Sequence, residues 1–132
     1  MTPVVADLLR RADYHLKEAE ALLGDRYGRL AARESYQGMF HAAQAAVHHA
    51  MGSTPKTHSG LITRFGQLCR EDGPLCPELG RQLSRSYGMK ATADYGSVEE
   101  AQQLDGEAAV RDAREFVGRI RTFLATDSNL LE

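Results

Sequence analysis

Lys90 and Asp94 stand four residues apart in "KATADYG", near the end of a helical stretch, with Tyr95 and Gly96 directly after them. Residues three and four apart share one side of a helix, so Leu83, Tyr87, Lys90 and Asp94 project together. A lysine with an aspartate four residues later is the less favourable order, because an anion in the last turn meets the negative end of the helix dipole. Asp94 therefore needs a compensating partner. Either the pair locks the end of a bundle, or it lines a polar pocket in which Lys90 contacts an anion.

A second cluster is "PKTHSG", where Lys56, His58 and two hydroxyls stand at the entrance to another helical stretch. Exposed amides at a helix start, with a lysine and a histidine beside them, suit a phosphate; threonine or serine there is also ordinary capping chemistry. Ser35 and Tyr36 form a third group. Tyr36 lies on an apolar stripe, so its hydroxyl needs a partner. His41 and His48 are seven residues apart, too far to ligate one ion, and neither cysteine has the spacing or flanking histidine of a zinc site. Arg81 and Arg85 share an exposed side and could touch a phosphate backbone, or simply be solvated. There is no GxxxxGKS loop, HExxH or GxSxG motif, so no metal and no cofactor is implied.

Helices must position these groups. Apolar spacing predicts a first helix on the face Val5, Leu8, Leu9, Ala12, Leu16, Ala19 and Leu23, stopped by Gly24 in the manner of a C-cap. A second runs from about Arg29 to Met51 and ends at Gly52, and Pro55 disfavours helix at Thr54. A third, shorter helix carries Leu61, Ile62, Phe65 and Leu68. The fourth starts near Pro77, suited to a first helical position, and runs to about Ala93. A loop follows, in which "SVEE" has the form of a capping box and allows a short turn; the last helix is expected after Asp105. The expected fold is all-α, an up-and-down four-helix bundle with one additional short helix, as one domain over residues 1–132.

The second helix is unusual. From Gly38 to Met51 it holds no Asp, Glu, Lys or Arg. Such a helix is central or covered by a second subunit, and the modest size of a five-helix domain points to a homodimer.

Composition sets the frame: 132 residues, 42% hydrophobic, 26% charged, net charge -2. That balance gives no overall polyanion footprint, so any nucleic-acid site is a local patch. Residues 97–132 carry eight acidic and four basic side chains, whereas residues 1–96 carry ten and twelve. The N-terminus lacks the pattern of a signal peptide and no apolar stretch is long enough to span a membrane. The expected location is cytoplasmic, with Cys69 and Cys76 as reduced structural thiols in no obviously electropositive setting.

"ARESYQGMFHAAQAAV", "PKTHSGLITRFG", "PELGRQLSRSYGMKATADYG" and "AAVRDAREFVGRIRTFL", in this order, resemble HEPN domain proteins, the helical higher-eukaryote and prokaryote nucleotide-binding family. The nearest branch is the small stand-alone prokaryotic one related to the C-terminal domain of sacsin. The resemblance implies a helical bundle that dimerises. It also implies metal-independent ribonuclease activity in many members, often toxins paired with a minimal nucleotidyltransferase antitoxin. The family's motif is an arginine followed, after about four to six residues, by a histidine, which would act as general acid or base while arginine stabilises the phosphorane. Here Lys90 stands at the arginine position, and Asp94 and Tyr95 stand where the histidine is expected. Gln37 replaces a second tyrosine of the branch. Arg10 and His15 reproduce the spacing on the first helix, the wrong element, and are read as coincidence.

The sequence thus supports nucleotide or RNA binding, with Lys90, Asp94 and Tyr95 at its centre, Lys56 and His58 as phosphate contacts, and Ser35 and Tyr36 supporting them by hydrogen bonds. Lysine can hold phosphate as a point charge. One alternative is a divergent ribonuclease drawing on Lys90, Asp94 or His58. The other is a non-catalytic interaction module, docking a partner on the apolar second helix.

Overall fold

The computed structural model describes residues 1–71, 75–94 and 99–131, with side chains outside 89–101 and 127–131. They form α1 (Pro3–Gly24), α2 (Gly28–Met51), α3 (His58–Glu71), α4 (Pro77–Asp94) and α5 (Glu99–Leu131). The fold is an all-α up-and-down bundle in which α3, of 14 residues, is the short member. Tyr95, Gly96 and the side chains of Lys90 and Asp94 lie outside the described residues.

Helix α1 opens on Thr2, whose hydroxyl accepts the Val5 N–H at 3.2 Å, with Pro3 in the first turn. Gly24 was expected to turn the chain, but it remains helical. The Tyr27 N–H reaches the Leu22 carbonyl at 2.8 Å and the Arg26 N–H reaches Leu23 at 3.0 Å. This is a Schellman closure whose left-handed position is Arg26, φ 65°. A side chain there is strained, so Arg26→Gly should stabilise the protein by about 0.5–1 kcal/mol, after the greater freedom of glycine in the unfolded chain is allowed for. A urea melt checks it; an unchanged or lower midpoint would show that Arg26 is not strained.

Helix α2 is the axis of the bundle. It packs against all four other helices and buries more than half of its 24 residues, among them Ala31, Ala32, Ala42, Ala43, Ala45 and Ala46. The small side chains let neighbouring helices approach from several directions. A single chain therefore covers the helix, and its composition does not by itself require a second subunit. One continuous core draws Leu9 and Ala12 from α1, Met39 and Val47 from α2, Phe65 from α3, Leu79 and Leu83 from α4, and Phe116 and Ile120 from α5. Exposed pairs Arg114–Glu20, at 2.7 Å, and Arg121–Asp13 link α5 to α1; such pairs stabilise little.

Helix α5 begins at Glu99, inside "SVEE", rather than after Asp105. Its early turns meet the start of α2 by direct backbone contact at Gly28 and Gly106. Alongside, the Gln103 Nε2 donates to the Leu23 carbonyl at 3.1 Å. The contact is made by glycines and an amide, not by an apolar stripe.

Candidate functional site

His58 is the first residue of α3. Thr57 caps that helix: its hydroxyl accepts the Gly60 N–H at 3.0 Å and its carbonyl accepts the Leu61 N–H at 3.0 Å. The threonine of "PKTHSG" is thus an ordinary cap, leaving Lys56 and His58 for chemistry. The His58 Nδ1 lies 2.9 Å from the hydroxyl of Tyr36, which comes from α2. The His58 ring stacks on Tyr87 of α4 at 5.4 Å and 16°, and meets Phe40 at 4.5 Å. Three helices therefore hold one imidazole, and the entrance to α3 folds against the last turns of α4. Lys90 is three residues beyond Tyr87 in that helix.

Tyr36 is 1% exposed. Burial, and secondarily Tyr87, pushes its phenol far above the usual tyrosine range. It stays neutral, so its hydroxyl can donate to an unprotonated Nδ1 or accept from Nδ1–H. In the first state the proton of the imidazole sits on Nε2, suited to donate to a phosphate oxygen. Lys56 is exposed close by in sequence. Ser35 is buried beside Tyr36 in the chain, but its hydroxyl has no hydrogen-bond partner among the described residues, so it takes no part in the bond between Tyr36 and His58.

Sequence reasoning missed a second cluster. His15 on α1 lies with Nδ1 2.6 Å from the Glu34 carboxylate on α2, and its ring stacks on His41 at 5.2 Å and 18°. The His41 Nδ1 in turn lies 2.8 Å from the Gln44 amide oxygen. Arg10 and Arg11 are engaged by Asp7. The available signal was Glu34 and His41, seven residues apart on one flank of α2. Nothing in the local spacing says that His15 sits opposite. Burial, then the charges of His15 and Arg11, hold the His41 imidazole below its usual range, against the opposing pull of Gln44 and Asp7.

A histidine harder to protonate when folded makes the unfolded state bind more protons. Its contribution falls as pH drops through about 6.5 and levels off below the depressed value. Between pH 7.5 and 5.5, thermal unfolding of His41→Gln should therefore decline less than that of the unmodified protein. Identical declines would remove His41 as the cause.

The cysteines differ. Both are free. Cys69 is buried, and burial pushes its thiol up to about 12. For Cys76, the upward effect of desolvation is outweighed by the Leu79 amide and Arg119, so the thiol is lowered. The Arg119 Nη2 is 3.3 Å from its sulfur. The expectation of no electropositive setting fails for Cys76, because a helix start and an arginine from α5 converge on it. Among the described residues, no three His, Cys, Asp or Glu side chains are placed to hold a metal, and no helix is long and apolar enough to cross a membrane.

Residues 5–123, nearly the whole bundle, match the sequence model of the HEPN domain. The chain belongs to the HEPN domain family. A UPF0332 protein of Gloeobacter violaceus is 32% identical over 126 residues, which span 95% of this chain and 99% of that protein. A protein of Methanocaldococcus jannaschii, provisionally named a toxin, is 29% identical over 117 residues, or 89% and 86% of the two chains. A UPF0332 protein of Thermotoga maritima is 27% identical over 115 residues, 87% and 86%. The α2 centre, the α3 entrance and most of α5 all fall within the HEPN match, so the His58 arrangement is built on the shared bundle rather than on an appendage.

Proposed function

We infer that this HEPN protein binds a phosphate of a nucleotide or RNA at the end of the bundle where His58 lies. It acts in the cytoplasm as one component of a toxin–antitoxin-type pair. The observation that carries the reading is the immobilised imidazole. Its Nδ1 is tied to a neutral buried phenol, its ring packs against Phe40 and Tyr87, and it stands at a helix N-terminus near Lys56 in the chain. Lys56 and His58 contact the phosphate. The reading also assigns ligand contacts to Lys90, Asp94 and Tyr95, with Lys90 as the point charge. The Methanocaldococcus relative supports the toxin side of the pair, and the family resemblance supports a homodimer and a nucleotidyltransferase-fold partner.

A ribonuclease is the second reading, favoured by the same histidine. Protonated on both nitrogens, His58 could give its Nε2 proton to the leaving 5′-oxygen while a ribose 2′-hydroxyl, its own proton lost to solvent, attacks the phosphorus. The interaction-module reading has less to stand on, because the apolar surface it needed on α2 is occupied by the other helices of the same chain.

Thermal unfolding against ATP, GTP, AMP and a short single-stranded RNA tests the binding. Ligand at a hundred times its dissociation constant should add about 2.7 kcal/mol, and the shift should vanish in His58→Ala and in Lys90→Ala. No shift with any ligand would sink the reading. RNA cleavage that survives His58→Ala would sink the ribonuclease version alone.

A further inference from the structure

We propose that the shallow groove between α3 and α4 is the track of a single nucleic-acid strand, running from the His58–Tyr87 end of the bundle towards Arg70. This rests on the phosphate-site reading and extends its ligand from one nucleotide to a short oligonucleotide. The groove, about 380 Å³, is lined by Ile62, Thr63 and Arg70 from α3 and by Gly80, Arg81 and Ser84 from α4. Both walls lead to the site. Ile62 is one turn beyond His58, and Ser84 is about one turn before Tyr87. From Ser59 to Arg70 the helix rises roughly 16 Å. That is room for about four stacked nucleotides at the spacing of one strand, the low end of single-strand site sizes.

The charge fits a polyanion. Arg70 and Arg81 line the groove, and residues 56–88 carry five basic side chains against three acidic ones, Glu71, Asp72 and Glu78, whereas residues 97–132 carry twice as many acids as bases. Glu78 meets both Arg81 and Arg85 at 3.0 Å. One carboxylate thus orients two guanidinium groups that together have more N–H donors than it can accept, leaving donors for phosphate. Tyr87, 40% exposed at the end of the track, offers a ring for an unstacked base. A duplex has no splayed base to place there, and a shallow groove between two helices suits one backbone.

Fluorescence anisotropy on the intact protein tests this, with labelled uridylate dimer, tetramer and octamer, an RNA duplex, and unlabelled UMP as competitor. Affinity should rise about tenfold from dimer to tetramer and little beyond. Arg70→Ala should weaken the tetramer several-fold and lower the salt slope by about one. Ser84→Trp should fill the groove and weaken the tetramer without removing a charge. UMP binding and the unfolding midpoint should not change in either variant. An oligodeoxythymidylate alongside separates RNA from DNA as the source of the strand. Affinity independent of length, a duplex bound as tightly as the tetramer, or variants that bind normally would each overturn the track while leaving the phosphate site in place. Failure of UMP and every oligomer to bind would overturn both.

Discussion

Gly28→Ala should destabilise the protein by about 3 kcal/mol or more, one of the largest effects any single methyl group could have in this bundle. A Cβ on Gly28 would lie 2.3 Å from the Gln102 carbonyl oxygen and 2.4 Å from the Gln103 Cα. Those are backbone atoms inside α5, so no rotamer change relieves the clash; the helix itself would have to move. The contact is reciprocal, since a Cβ on Gly106 would lie 2.6 Å from the Gly28 carbonyl oxygen. Moving α5 away would also break the bond from Gln103 to the Leu23 carbonyl, where α1 ends. Gly118→Ala in α5 is the control. A Cβ there meets nothing within 4 Å, and replacing glycine within a helix should add up to about 1 kcal/mol. Urea unfolding of the two variants should thus move in opposite directions. If Gly28→Ala melts like the parent protein, the two helices do not meet as described.

The same crossing explains where sequence reading stopped. Helices α1 to α4 announce themselves by apolar spacing, and the structure follows it to within a residue or two at most ends. The first turns of α5 do not. Leu104 is 65% exposed and Gly106 offers no side chain, so the stripe that would reveal a helix begins only at Val110. What holds those turns is a backbone contact with a glycine more than seventy residues earlier, which no local pattern encodes. In α2 the absence of charge was legible and its cause was not: four helices of one chain cover it, where the pattern allowed either a central helix or one covered by a second subunit. The candidate site divides in the same way. Tyr36 on an apolar stripe visibly needed a partner, and His58 beside Lys56 visibly suited phosphate. That the two meet each other, with Tyr87 from a third helix, depends on how α2, α3 and α4 pack. His15 and His41 were hidden for the same reason, each on its own helix with no sign of the other.

Tyr36 carries the second large effect, and two substitutions separate its roles. Tyr36→Ala should cost about 3–5 kcal/mol, as expected for an aromatic ring removed from a closed interior, because the ring is 1% exposed and touches Phe40, His58 and Tyr87. Tyr36→Phe keeps the ring and removes only the hydroxyl, so it should cost about 1 kcal/mol, the net worth of one hydrogen bond. The smaller change says more about function. Without the phenol, nothing among the described residues fixes which nitrogen of His58 holds the proton. Nitrogen-15 NMR should find neutral His58 mainly as the Nε2–H tautomer in the parent protein and as a mixture in Tyr36→Phe. Phosphate-ligand affinity should fall with it, by up to about tenfold if the oriented donor is worth 1.4 kcal/mol. An unchanged tautomer with unchanged affinity would reduce Tyr36 to a packing residue and remove the main support for His58 as the phosphate contact. A lost tautomer preference with unchanged affinity would shift the phosphate to Lys56 and Lys90, where charge alone, rather than an oriented imidazole, would hold it.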